Sequence, residues 1–197
     1  MGRKSLKEIR QKEIVTSFYF VAKREGLDKT SIAKVADNLK INPSLIIHYF
    51  KSKQELEVAL IDYILEKYLQ IYKSNGEINS TEKLLDLIDK LFSRKWNRLF
   101  DDGVFYSCYA HVYRNKKFQS KFKQLHDSLR SILKQSFMDA QKSEIIKLEN
   151  IDKQTEIIFA LLEGAYYYLG IVDDKKEYNI KVEYYKQHVI EILQVKK

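Results

Sequence analysis

The chain has 197 residues, 45% of them hydrophobic, which is enough to bury a real core and argues against a disordered chain. Its net charge of +8 points to a polyanionic partner, and that charge is uneven: residues 1–55 carry twelve Lys/Arg against six Asp/Glu, leaving +6 there and +2 in the rest. The single cysteine, Cys108, excludes an internal disulfide framework and has no second sulfur with which to share a zinc ion, no apolar run reaches the roughly 18 residues of a membrane helix, and the polar N-terminus is not a signal peptide, so a cytoplasmic protein with neither metal nor cofactor and no membrane partner is expected.

One proline and six glycines, with Lys, Leu, Ile, Glu and Gln recurring every three or four residues, predict an all-α chain. The first helix is expected from the Ser5-Leu6-Lys7-Glu8 capping box to Gly26, with Ile14, Phe18, Val21 and Ala22 on one face. A short second helix follows a cap at Thr30 or Ser31, offers Ile32, Val35, Ala36 and Leu39 to a core, and ends near Lys40. Asn42-Pro43 reads as a cap followed by a first-turn proline, so a third helix starts there. The box Ser52-Lys53-Gln54-Glu55 opens a long helix toward Tyr72.

Beyond Ser74-Asn75-Gly76, Asn79 and Glu82 start an amphipathic helix that continues to a break at Asp101-Asp102-Gly103. Further helices are expected over Phe105–Tyr113, Phe118–Gln141, Lys153–Val172 and Asn179–Val195, the last two separated by Asp173-Asp174-Lys175-Lys176. That makes about nine helices. The composition shift near residue 52 sets the expected division into two parts, 1–52 and 53–197.

Two short helices joined by about three residues, from Thr30 to Lys53, have helix-turn-helix spacing. In that arrangement the second helix presents its N-terminal residues to base edges, while hydroxyls, amides and lysines around it hold phosphates and set its register.

This segment, with the helix before it, resembles the DNA-binding domain of the tetracycline-repressor (TetR) family, on Gly26, Thr30-Ser31, Val35-Ala36, Phe50 and Lys53. The resemblance implies that Pro43, Ser44, Leu45 and His48 face the major groove, that Tyr49 and Lys53 meet phosphates, and that an Arg3-Lys4 arm reaches the backbone or minor groove. Thr30, Ser31, Asn42 and Ile47 complete the expected DNA-binding set. The chain departs from the family pattern at Lys40, where a glycine is usual, at Ile47, which replaces a phosphate-binding tyrosine, and at Tyr49, where histidine is common; Phe18 and Ala22 exchange a small and a large position. Over the rest of the chain the helix order is similar to the BetI-type branch, without making choline an expectation.

The C-terminal part is rich in aromatic residues. Phe92, Trp96, Phe105, Tyr106, Tyr109, Tyr113, Phe137 and Tyr167 are the expected lining of a cavity for a small organic or cationic effector, against the plainer reading that they fill a core. In the last two helices apolar residues spread round most of the circumference, so burial on two sides is expected. Leu161, Gly164, Ala165, Tyr168, Val182, Tyr185, Val189 and Ile192 are the expected faces of a two-fold four-helix dimer interface, against an intramolecular hairpin.

Cys108 and His111 share a helical face but lack further ligands nearby, and His48, His111, His126 and His188 are scattered without an acid/base partner, so no metal and no catalytic residue is expected. The expected protein is a homodimeric, effector-released repressor on a pseudo-palindromic double-stranded operator. A small-molecule-binding helical scaffold without specific DNA recognition, and an enzyme with a site assembled from distant residues, stay open as alternatives.

Overall fold

The computed structural model describes residues 3–73, 76–93 and 101–195, with the side chains of 3–5, 68 and 70–73 left aside. The described residues form nine helices and no strand: α1 (Arg3–Glu25), α2 (Ile32–Leu39), α3 (Pro43–Tyr49), α4 (Lys53–Lys73), α5 (Thr81–Leu91), α6 (Asp102–Tyr109), α7 (Lys116–Lys142), α8 (Ile151–Gly170) and α9 (Lys175–Leu193).

Helix starts follow side-chain caps, in which an oxygen accepts from an otherwise orphaned amide. Ser31 caps α2, Asn42 α3, Ser80 α5, Asp101 α6, Asn150 α8 and Asp174 α9. These caps move several expected boundaries. α1 is already helical at Arg3, so the Ser5–Glu8 box lies inside it; Arg3 and Lys4 are good helix formers and extend the first turn. Ser80, extended in backbone, takes the capping role expected of Asn79. Asp101 starts a helix where the sequence suggested a break, because its Oδ1 accepts from the Val104 amide at 3.1 Å.

The chain divides into two packing units, residues 1–67 with 100–125, and residues 68–99 with 126–197. This packing boundary falls within α4 and α7. In the first unit α1 packs on α2, α3 and α6, and α2 on α3. Ile14, Phe18 and Val21 of α1, Val35 of α2, Ile46 of α3 and Leu56, Leu60 and Ile64 of α4 are fully buried there. A polar clasp crosses this core: Asn38 Nδ2 donates to the buried Ser17 Oγ at 2.9 Å, tying α2 to α1. The Tyr19 hydroxyl accepts from the Asp101 amide at 3.1 Å, tying α1 to the start of α6.

In the second unit α9 packs on α8 and α5. Leu84, Leu87, Leu133, Phe137, Ile158, Val189 and Leu193 form its core. The Tyr166 hydroxyl donates to the Leu91 carbonyl, one of the orphans at the end of α5, at 2.8 Å. No described helix is long and apolar enough to cross a membrane.

Candidate nucleic-acid interface

Seven residues are too few for a helix to hold itself together in water, so α3 depends on its anchors. At its start Asn42 Oδ1 accepts from the Ser44 amide at 2.9 Å and the Ser44 hydroxyl at 2.7 Å, and Pro43 occupies the first turn, where no amide is needed. Ile46 is its one buried residue, and the buried Phe50 closes it, donating its amide to the Ile46 carbonyl. With Ile46 turned inward, Ser44, Ile47 and His48 fall on the opposite, exposed side, and Leu45 and Tyr49 are half-buried at its edges. Ile47 is 50% exposed, unusual for an isoleucine in a well-packed head. The His48 ring meets Tyr49 edge-on, centroids 5.1 Å apart.

Three residues of the expected DNA-binding set are engaged within the protein. Thr30 is buried; its hydroxyl donates to the Gly26 carbonyl at 2.8 Å and its amide to the Leu27 carbonyl at 3.2 Å, so both its donors serve the turn between α1 and α2. Ser31, half exposed, is the α2 cap and accepts from the Lys34 amide at 3.3 Å. Lys53 Nζ donates to the carbonyls of Leu27 at 2.8 Å and Asp28 at 3.2 Å, and lies 3.6 Å from Glu57 Oε1. It clamps the first turn of α4 to the α1–α2 turn. The side chains of Arg3 and Lys4 lie outside the described residues, and their backbone is helical rather than an extended arm.

Sequence reasoning missed Glu57, nearly buried beside this clamp. Burial pushes its carboxyl above the usual range and Asp28 adds to the rise, while Lys53 and His111 pull it back. The i, i+4 spacing of Lys53 and Glu57 was a readable signal; the carbonyls of residues 27 and 28 were not. Cys108 lies in the core of the same unit, its thiol pushed up to about 12 by burial, with the Glu57 charge adding to it. Among the described residues no group of His, Cys, Asp and Glu has the arrangement of a metal site.

The turn before α3 carries a further departure from expectation. Lys40 closes α2 in the left-handed conformation at φ 55°, its amide bonded back to the carbonyls of Ala36 and Asp37. Glycine relaxes there, and lysine does not.

The aromatic set separates into groups. Phe105 stacks with Tyr109 at 6.4 Å and meets the buried Phe122 edge-on at 5.5 Å, with Tyr106 at 5.2 Å; Phe105, Tyr106 and Tyr109 are half-buried in the first unit. Tyr113 extends from it but is 82% exposed, because α6 has already ended at Tyr109. In the second unit Phe137 is wholly buried and serves the core, and Phe92 stacks on Tyr185 at 6.3 Å. Phe92 also borders a cleft of about 480 Å³ with Tyr178, Val182 and Lys186, a place the sequence did not indicate. Trp96 lies outside the described residues.

The expected dimer residues also sort by environment. Ala165 and Val189 are buried within the chain, because α8 and α9 pack on each other and need those positions for their own contact. Gly164 is exposed, with nothing within 4 Å of where a Cβ would stand, and Leu161, Tyr168, Val182, Tyr185 and Ile192 are half-buried. The outward apolar residues are Ile157, Tyr167 and Ile171 of α8 and its exit, with Ile180 and Tyr184 of α9. Ile157, Gly164 and Ile171 are seven apart and Tyr167 is one turn beyond Gly164, so Tyr167 belongs to this stripe and not to a cavity wall.

Comparison with known proteins agrees with this architecture. Residues 21–60 match the family model described as bacterial regulatory proteins, tetR family, and residues 79–195 match that for the tetracyclin repressor-like C-terminal domain. The chain is 23% identical over 161 residues to the HTH-type transcriptional regulator PksA of Bacillus subtilis, covering 80% of this chain and 77% of that one. Its fold is that of a TetR transcription regulator from Haloarcula marismortui, at TM-score 0.79 and 19% identity, covering 95% of this chain and 97% of that chain. It also superposes on a transcriptional regulator from Saccharomonospora viridis in complex with choline, at TM-score 0.74 and 15% identity, with 96% and 100% covered. The C-terminal match alone spans more than half of the chain, and with a helix-turn-helix match over the exposed α3 the chain belongs to the TetR family of DNA-binding transcriptional regulators.

Proposed function

We propose that the chain is a cytoplasmic, homodimeric repressor that binds a pseudo-palindromic operator through two copies of α3 and is released by a small organic or cationic effector. The observation that carries the reading is α3 itself, pinned by Asn42, Ile46 and Phe50 while Ser44, Ile47 and His48 stand outward. Pro43, Ser44, Leu45 and His48 read base edges, Ile47 offers an apolar contact of the kind thymine methyl groups accept, and Ser31, Asn42, Tyr49, Arg3 and Lys4 take backbone positions. For two such helices to enter successive major grooves, the dimer must hold them about 34–36 Å apart.

The second copy packs on the outward stripe of Ile157, Gly164, Tyr167 and Ile171 with Ile180 and Tyr184, which supports the dimer because a closed two-fold contact buries an apolar face that one chain leaves in water. The effector is placed among the Phe105, Tyr106 and Tyr109 rings, and the choline held by a regulator of the same fold supports a cationic guest for aromatic walls. Residues 1–52 are the reading part and residues 53–197 the sensing and dimerising part.

The test is a gel shift on DNA upstream of the chain's own coding region, titrated with salt. Specific binding with a steep negative salt slope is expected; equal, weak binding to every duplex would leave a helical scaffold in place of a regulator.

A further inference from the structure

Between Ser31 and Glu55 there are four lysines, at 34, 40, 51 and 53. Two of them are committed within the protein. Lys34 Nζ lies 2.6 Å from Glu25 Oε2 and donates to the Lys29 carbonyl at 2.9 Å, and Lys53 is held by the carbonyls of Leu27 and Asp28. The ammonium groups of Lys40 and Lys51 are exposed, and neither has a bond or ion pair among the described residues. We propose that Lys40 and Lys51 hold the DNA backbone at the two ends of α3. This rests on the reading of α3 as the DNA-reading helix.

The geometry supports the assignment. Lys40 precedes α3 by three residues and Lys51 follows it by two. The seven residues of α3 span roughly 10.5 Å at 1.5 Å per residue. The two lysines therefore stand just beyond the two ends of the helix, and their flexible four-carbon stems can reach further toward phosphates flanking it. Both backbones are fixed. The amide of Lys51 donates to Glu55 Oε2 at 2.9 Å, next to the buried Phe50, and Lys40 is locked in the turn by its bonds to Ala36 and Asp37.

The second argument is strain. At φ 55° a lysine is disfavoured and glycine is not, so stability alone selects against the residue present. Glu144 and Gln194 close helices in the same conformation, so strain by itself assigns nothing. What distinguishes Lys40 is an unengaged cation next to the reading helix.

Binding to a random-sequence duplex between about 50 and 200 mM salt tests this without knowledge of the operator, because phosphate contacts are sequence-independent. Lys40→Gly, Lys40→Gln and Lys51→Ala should each flatten the plot of log Kobs against log salt by about 0.9 per protomer, with Lys40→Arg retaining the wild-type slope. Lys40→Gly should at the same time raise Tm by roughly 2–4 °C. Weaker binding with a more stable fold is a combination that a purely structural turn residue cannot give. Wild-type slopes for the Lys40 and Lys51 variants overturn the assignment. A wild-type chain that binds no duplex at the lowest salt overturns the reading of α3 itself.

Discussion

Replacing Lys53 by methionine keeps most of the stem and removes the ammonium. Two hydrogen bonds from a charged donor are lost, to Leu27 at 2.8 Å and to Asp28 at 3.2 Å. Such bonds contribute about 1.5–3 kcal/mol each when well buried, but Lys53 is a third exposed and water can reach the Asp28 carbonyl, so a total loss of about 2 kcal/mol is expected. A second effect follows through Glu57, whose carboxyl burial already raises and Lys53 pulls back. Without the lysine, the carboxyl rises further. A carboxyl raised in the folded state favours folding when protonated, so its contribution is full below the ordinary carboxylate pKa and is lost as pH rises through the folded value. The gap between wild type and Lys53→Met should therefore be smallest at low pH, where Glu57 is neutral in both folded and unfolded chains, and widen as pH rises. Urea unfolding across a pH series, with Glu57→Gln and the double variant completing a cycle, measures both parts. The widening should vanish in the Glu57→Gln background. A loss below about 0.5 kcal/mol, the scale of an ordinary surface substitution, would refute the clamp and return Lys53 to the DNA surface.

Other expectations are independent of the clamp. Gly26→Ala tests the α1–α2 turn: at φ 89° with nothing within 4 Å of the new Cβ, the loss is purely conformational, about 1 kcal/mol, read from the urea midpoint. Tyr166→Phe removes the bond to the Leu91 carbonyl and should lower stability by about 1 kcal/mol without altering the far-UV spectrum. Glu163 has its carboxyl pushed up to about 7 by burial, against the pull of Arg130, and its Oε2 lies 3.4 Å from His126 Nε2; burial pushes that imidazole down, with Arg130 acting the same way. Its contribution is full near pH 4 and is lost as pH rises through 7, and because 42% of the side chain still meets water, Glu163→Gln should flatten the stability profile only modestly over that window. Parallel profiles for the two proteins would remove burial of Glu163 from the account.

The caps were readable because capping is local chemistry. Asn42-Pro43 places the start of α3 within one residue, and in the Ser52–Glu55 box the Glu55 amide donates to Ser52 Oγ at 3.2 Å. The reciprocal carboxylate bond, however, goes to the amide of Lys51 rather than Ser52. Where two caps compete, as at Asn79 and Ser80, or where good helix formers precede a box, as at Arg3 and Lys4, residue type does not choose between them. The role of Lys53 was unreadable for another reason: its partners are 26 and 25 residues away and are carbonyls, which every residue has. In α8 the sequence led to an expectation of burial on two sides but did not say which side faces its own chain. That depends on how α9 docks, which turns Ala165 inward and leaves Gly164 and Tyr167 outward.

Three anchors on a seven-residue helix constrain how regulation can work. Asn42, Ile46 and Phe50 fix α3 before any DNA arrives, so little binding energy is spent on ordering it, which suits side chains that read bases. The same anchoring makes melting of α3 a poor route to release, because every anchor would have to break together. Displacement of the head as a body requires none of them to break. Lys53 is placed for this: it joins the first turn of α4 to the turn after α1, and α1 packs on α2 and α3. Under the proposed function, a shift at the start of α4 would be passed to α3 through the bonds of Lys53 to Leu27 and Asp28.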